Sequence, residues 1–226
     1  MRRRGHLTTL AIVIDNAAGR RIYDRWSRHP RFYGAMTGLV LFGRRERLRR
    51  AAVERLTLRR GDHALDLACG PGANLELLVG AVGPSGSVLA LDFSPGMLER
   101  AGKLIRRRGW GNVELRLADA AEAELSPASL DGVLCTLSLS AIPGRREASR
   151  RVGRALRPGA AFVVLDATLF PGRMRFLNPL IGPIFRRVTN WDYEADLIAE
   201  LHQEFDAVEV ERFNLGSCFI ARAKAS

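Results

Sequence analysis

At 226 residues the chain is long enough to bury a full core, and 47% hydrophobic with 26% charged residues is the balance of a folded protein, which excludes wholesale disorder. The formal charge of +11 is carried almost wholly by arginine, because Lys103 and Lys224 are the only lysines; we read it as arginine spent on solvated faces, ahead of a nucleic-acid surface or an anionic membrane. Cys69, Cys135 and Cys218 are too few and too scattered for a disulfide framework, and no Cys-x-x-Cys or histidine pairing offers a metal site, so reduced thiols and a cytoplasmic setting are expected.

In chain order, Met1 to Arg4 followed by an apolar run from Leu7 to Ile14 has the outline of a signal peptide. Two threonines interrupt the run and Asp15 ends it, so a packed or disordered leader is the reading, with contact to an anionic membrane surface as the alternative. Residues 16–58 read as helical pieces. Tyr23, Trp26, Phe32 and Tyr33 sit among basic residues there, and residues 43–58 have amphipathic spacing.

Ala64, Leu65 and Leu67 make a short apolar strand that stops at Ala68-Cys69-Gly70-Pro71-Gly72 and opens into a helix from Ala73. Glycines at 70 and 72 allow a tight turn and close approach of backbone to a ligand. A phosphate-cradling loop needs Lys then Ser or Thr after its glycines, where Ala73 and Asn74 stand. A dinucleotide fingerprint needs a small residue where Leu75 stands, and the Asp66 carboxylate before the turn repels a pyrophosphate. The same charge suits a cofactor carrying an ammonium and a sulfonium. About twenty residues further on, Asp92 ends a second apolar strand, at the spacing where an acid accepts both ribose hydroxyls of an adenosine, and Phe93 can cover a purine.

Asp66-Leu67-Ala68-Cys69-Gly70-Pro71-Gly72 and Leu91-Asp92-Phe93-Ser94-Pro95-Gly96-Met97-Leu98 together resemble the first two motifs of the class I, Rossmann-like S-adenosylmethionine-dependent methyltransferases. Ala68 stands where the family usually has its first glycine, and it keeps a small residue beside the methionyl moiety. The resemblance implies an α/β fold: a seven-stranded, mostly parallel sheet with helices on both faces, the last strand antiparallel, and a helical amino-terminal lid. It also implies S-adenosyl-L-methionine as cofactor, leader and lid over 1–40, and a cofactor-binding domain over 41–226. A Tyr-Asp segment ahead of the first motif recurs in the small-molecule branch, which includes quinone C-methylating and phosphatidylethanolamine N-methylating enzymes. Tyr23, Trp26 and His29 are therefore lid candidates, and simple helix packing is an equal reading for the two aromatics.

Residues 97–108 read as a helix and 113–120 as a third strand. By the family's pattern Asp119 and Ala120 meet the adenine edge, a carboxylate accepting from the amino group and a backbone N–H donating to a ring nitrogen. The fourth strand, from Leu130, ends in Cys135-Thr136-Leu137-Ser138, next to where the reactive centre of such sheets lies. Enzymes of this family that methylate base amines of DNA carry an Asn/Asp-Pro-Pro-aromatic run at this place. Its absence sets base N-methylation aside. The resemblance thus assigns cofactor contacts to Asp66, Ala68, Cys69, Gly70, Gly72, Asp92, Phe93, Met97, Asp119, Ala120, Cys135 and Thr136.

A helix over 146–156 should stop at Arg157-Pro158-Gly159, and 160–166 should be the fifth strand. In 170–187, three prolines argue against one regular helix, yet apolar residues are too many for a surface loop; a lid over an apolar substrate pocket explains both. Its four arginines suit a phosphate or a membrane surface. A helix over 193–204 and a hairpin joined through Asn214-Leu215-Gly216 complete the chain.

The expected activity is methyl transfer to an apolar or amphiphilic small molecule: a quinone precursor, a phospholipid amine or a polyketide-like metabolite. The second reading is a non-methylating protein such as a cyclase that keeps the cofactor site. The third is an RNA methyltransferase, which charge alone suggests. Oligomeric state and the methylated atom stay open.

Overall fold

The computed structural model describes residues 16–225, so the basic leader with its signal-like outline lies outside the described residues. Three helices precede the sheet: α1 (Asn16–Arg28), α2 (Pro30–Val40) and α3 (Arg45–Glu54). Strands and helices then alternate as β1 (His63–Leu67), α4 (Leu75–Val82), β2 (Ser87–Asp92), α5 (Pro95–Arg108), β3 (Val113–Leu117), β4 (Leu130–Thr136), α6 (Arg145–Ala155) and β5 (Leu156–Ala167). The chain closes through α7 (Asn178–Thr189), α8 (Leu197–Glu204), β6 (Ala207–Phe213) and β7 (Cys218–Lys224).

The strands form one sheet in the order β3-β2-β1-β4-β5-β7-β6. Pairing is parallel from β3 through β5, while β7 runs antiparallel to both β5 and β6. This is the expected doubly wound sheet with an inverted last strand. The order reverses at β1 and β4, which opens a crevice beyond their carboxyl ends.

Alternation along the strands sorts the core into two layers. Leu65, Leu67, Val133, Cys135, Phe162 and Val164 face α6 and α8. Their neighbours Ala64, Leu134, Ala161, Val163 and Leu165 face α3 and α4. Burial on both faces is why these strands read as almost unbroken apolar runs. Asp66 belongs by parity to the Ala64 face, so its carboxylate points under α4.

Several boundaries depart from the sequence reading. β5 starts at Leu156 because the chain re-enters the sheet straight from α6, with a register irregularity opposite Leu130 and Gly132. α8 starts at Leu197, where Asp196 accepts from the Ala199 N–H as a cap. The largest correction concerns 170–187: a short 3-10 turn at Gly172–Leu177 is followed by a regular twelve-residue helix. Pro179 occupies the first turn, where its missing N–H is unneeded, and Pro183 in the next turn costs one ladder bond without breaking the helix.

α1 is fastened across the top of the sheet. The Ser94 hydroxyl caps α5 by accepting from the Met97 N–H, and donates to Asp24 of α1 at 2.5 Å. Arg100 donates to the Ser27 carbonyl, and Gly96 lies so close that a Cβ there would overlap the Ser27 hydroxyl. Gly96→Ala should therefore pry α1 from α5. We expect a loss of about 1–3 kcal/mol in thermal unfolding and faster tryptic cleavage after Arg25 or Arg28. An unchanged digestion pattern would show that α1 does not depend on this contact.

Candidate active site

The β1–α4 turn is built for close approach. Ala68, Gly70 and Gly72 all have positive φ, 54°, 56° and 86°. A Cβ at Gly72 would also crowd Leu75 Cδ1 at 2.8 Å, the tip of a side chain that can turn aside, so it is the positive φ that calls for glycine there. The Gly70 N–H donates to Asp92 Oδ2 at 2.8 Å and the Ser94 N–H donates to Asp92 Oδ1 at 2.9 Å, so one carboxylate ties the turn to the end of β2. Burial pushes the Asp92 pKa up to about 6 against those two N–H groups.

Asp66 is fully buried. Asn74 Nδ2 donates to its Oδ1 at 2.8 Å and to Thr136 Oγ1 at 3.0 Å, joining the ends of β1 and β4 to the start of α4. Burial raises the Asp66 pKa to about 7, opposed by the Asn74 hydrogen bond and by Arg49. Its other oxygen has no hydrogen-bond partner among the described residues.

Two clefts open beyond the strand ends. The first encloses about 600 Å³, mouth included. Ala68, Gly70, Asp92, Phe93, Asp119 and Ala120 line it, which brings together half of the residues that the sequence assigned to the cofactor. Asp66, Cys69, Gly72, Met97, Cys135 and Thr136 do not line it. The sequence reading sets the Asp66 charge against the ligand; strand parity places its carboxylate under α4, where Asn74 holds it beside the turn. Met97 and Cys135 are core residues at 1% and 0% exposure. The cleft also takes walls that the sequence reading missed, from Gly19, Ser138, Ala141, Ile142, Pro143 and Asn190. No motif marks them, since they come from the β4–α6 loop and from two helices that close over it.

Tyr23 stands edge-on to Phe93, ring centroids 5.8 Å apart, and its hydroxyl donates to the Thr189 carbonyl at 2.9 Å. Trp26 stacks on Phe32 and donates to the Val188 carbonyl at 2.7 Å, lining neither cleft. His29 is exposed at the start of α2, also away from both. Of the three lid candidates only Tyr23 reaches the site.

The second cleft encloses about 1220 Å³ and is walled mainly by apolar side chains of α2, α7 and the segment after β5, among them Met36, Phe170, Ile181 and Phe185. Tyr23 and Ala141 belong to both clefts, so the two are adjacent. One acid lies in the wall of the larger: Asp166, at the carboxyl end of β5. It accepts from the Ser140 hydroxyl at 3.0 Å, the Ser140 N–H at 3.0 Å and the Ala167 N–H at 2.8 Å. Burial raises its pKa to about 6 against those bonds.

A family profile described as "Methyltransferase domain" matches residues 64–159, which run from β1 to the start of β5. A demethylmenaquinone methyltransferase of Geobacillus kaustophilus (strain HTA426) is 30% identical over 210 residues, covering 84% of this chain and 88% of the relative. The chain belongs to the class I S-adenosylmethionine-dependent methyltransferases. Among solved structures, a SAM-dependent methyltransferase from Aquifex aeolicus superposes with a TM-score of 0.63 at 21% identity, covering 84% of this chain and 93% of that one. Geranyl diphosphate C-methyltransferase from Streptomyces coelicolor A3(2) does so with 0.66 at 10% identity, covering 80% and 81%. At those identities both speak for the fold.

The methyltransferase uses S-adenosyl-L-methionine. The smaller cleft offers a donor set that suits that cofactor: backbone of positive φ forms one end, an acid closes β2, an aromatic ring follows, and a second acid stands after β3.

Proposed function

We propose that the enzyme methylates an apolar or amphiphilic small molecule held in the larger cleft, with a quinone precursor, as named for the Geobacillus relative, the first candidate. The observation that carries this is the shared wall. A cleft suited to adenosine meets, at Tyr23 and Ala141, an apolar cleft of twice its volume. Bound S-adenosylmethionine supplies an activated methyl group whose departure needs no acid. The protein then aligns, dries and deprotonates.

In this reading Asp92 accepts the ribose hydroxyls, Phe93 covers the purine, and Asp119 with the Ala120 N–H meets its edge. The turn at Ala68 and Gly70 receives the methionyl end, while Asp66, through Asn74 and Thr136, holds that turn in shape. Cys69, Gly72, Met97 and Cys135 pack behind it. Tyr23 fixes the approach of donor to acceptor, and such alignment alone contributes several kcal/mol. The Ser140–Asp166 pair takes the acceptor's proton: the serine oxygen receives it while the serine proton passes to the carboxylate. In the same proposal 1–40 is leader and lid, the lid being supplied by its described residues 16–40, and 41–226 is the cofactor-binding domain.

Incubating the protein with deuterated-methyl cofactor and a panel of naphthohydroquinones, phospholipid amines, polyketide-like phenols and RNA tests this by mass spectrometry. A deuterium-shifted product with matching S-adenosylhomocysteine is expected. Tight S-adenosylhomocysteine binding with no labelled product would favour a non-methylating role, and labelled RNA would replace the proposed acceptor.

A further inference from the structure

The two segments that wall the larger cleft share an unusual charge pattern. Residues 25–45 and 167–191 contain nine arginines and no aspartate or glutamate. Both also leave large apolar side chains in water. On α7, Ile181 and Phe185 turn into the cleft, whereas Leu180, Pro183, Ile184 and Arg187 follow one exposed stripe at helical spacing. Leu180 is 65% exposed, Ile184 51%, and Phe176 on the preceding turn 73%. From α2 and the chain after it, Leu39 and Phe42 are exposed at the cleft wall, and Phe42 meets Phe170 edge-on at 6.3 Å. Arg186 reaches Glu194 and the Tyr193 ring, but Arg173, Arg175 and Arg187 form no ion pair among the described residues.

Exposed aliphatic and aromatic side chains rimmed by unpaired arginines, with acids excluded, match the physics of a helix lying in a lipid headgroup layer. Any anionic partner disfavours acids here, and the exposed Phe176, Leu180 and Ile184 between the arginines match the acyl boundary of a lipid layer better than a polar acidic face. We propose that this rim, the outer face of α7 with the turn before it and the end of α2, docks on an anionic lipid bilayer so that the larger cleft opens toward the lipid. The inference rests on the apolar-acceptor reading above. It accounts for five of the nine large apolar side chains that are exposed among the described residues, namely Leu39, Phe42, Phe176, Leu180 and Ile184. No helix among the described residues is long and apolar enough to cross a membrane, so the contact is peripheral.

The test is flotation of the full chain with vesicles of phosphatidylcholine alone and of phosphatidylcholine containing phosphatidylglycerol. Wild type should float with the anionic vesicles only, and less so in high salt. Arg173→Gln with Arg175→Gln should weaken that binding about fivefold per arginine. Leu180→Ser with Ile184→Ser should weaken it about tenfold or more. Both pairs lie outside the clefts, so S-adenosylhomocysteine affinity and methylation of a short-chain naphthohydroquinone in vesicle-free buffer should stay at wild-type levels. Equal binding to neutral vesicles, no binding by wild type, or variants that bind like wild type would overturn the proposal. A concentration-dependent dimer abolished by the Leu180/Ile184 pair would overturn it too, assigning the face to a second copy. If flotation follows expectation while no soluble acceptor is methylated, the surface stands and the acceptor reading fails.

Discussion

Asp92→Ala should weaken S-adenosylhomocysteine binding by about 1–3 kcal/mol, roughly ten- to hundredfold, measured by titration calorimetry at neutral pH. The carboxylate is 4% exposed, already holds the Gly70 and Ser94 N–H groups, and lies in the wall of the smaller cleft. Each of its oxygens has a further lone pair for a ribose hydroxyl, and a hydroxyl donor favours the ionised form. In the proposed arrangement, removing the side chain removes the ribose acceptors and frees the turn that would receive the methionyl end. Asp92→Asn keeps one acceptor oxygen and should fall between wild type and alanine. Equal affinity in all three proteins would take the adenosine away from this cleft.

The positions legible in the sequence were those where chemistry and backbone constraint coincide. Gly70 and Asp92 stand at a turn and a strand end, where spacing alone fixes their neighbourhood, and the structure brings them into hydrogen-bond contact. The direction of the Asp66 side chain follows from strand parity and not from its charge. With Leu65 and Leu67 on the α6/α8 face, residue 66 must point the opposite way, under α4. Pro183 is compatible with a helix because, in the second turn, it removes a single ladder bond and leaves the rest of α7 hydrogen-bonded. The contributions of Ala141, Pro143 and Asn190 were invisible. Their place depends on how the β4–α6 loop meets the end of α7, where the Asn190 side chain donates to the Ala141 carbonyl at 3.2 Å.

Asp166→Asn should lower turnover by about 10²–10⁴-fold while leaving S-adenosylhomocysteine binding intact, the range typical of losing a general base. The pH profile gives the sharper readout. The folded pKa is about 6, raised by burial above an ordinary aspartate, so the carboxylate is protonated and inactive in mild acid and becomes competent as pH rises through that value. Wild-type turnover should accordingly climb through pH 6 to a plateau, and the variant should lose that climb. The same shift has a stability consequence of opposite direction. Between about pH 4 and pH 6 the folded state binds more protons at this site than the unfolded chain, so its contribution to stability declines as pH rises across that window. Asparagine abolishes the titration, and the variant should lose less stability than wild type between pH 5 and 8. Ser140→Ala separates proton transfer from loop anchoring, because the Ser140 N–H still donates to Asp166 when the hydroxyl is gone. If the pair moves the proton, both variants lose turnover together while folding is kept. Full activity in Asp166→Asn on an acceptor that must lose a proton would reduce the carboxylate to a clamp on the β4–α6 loop.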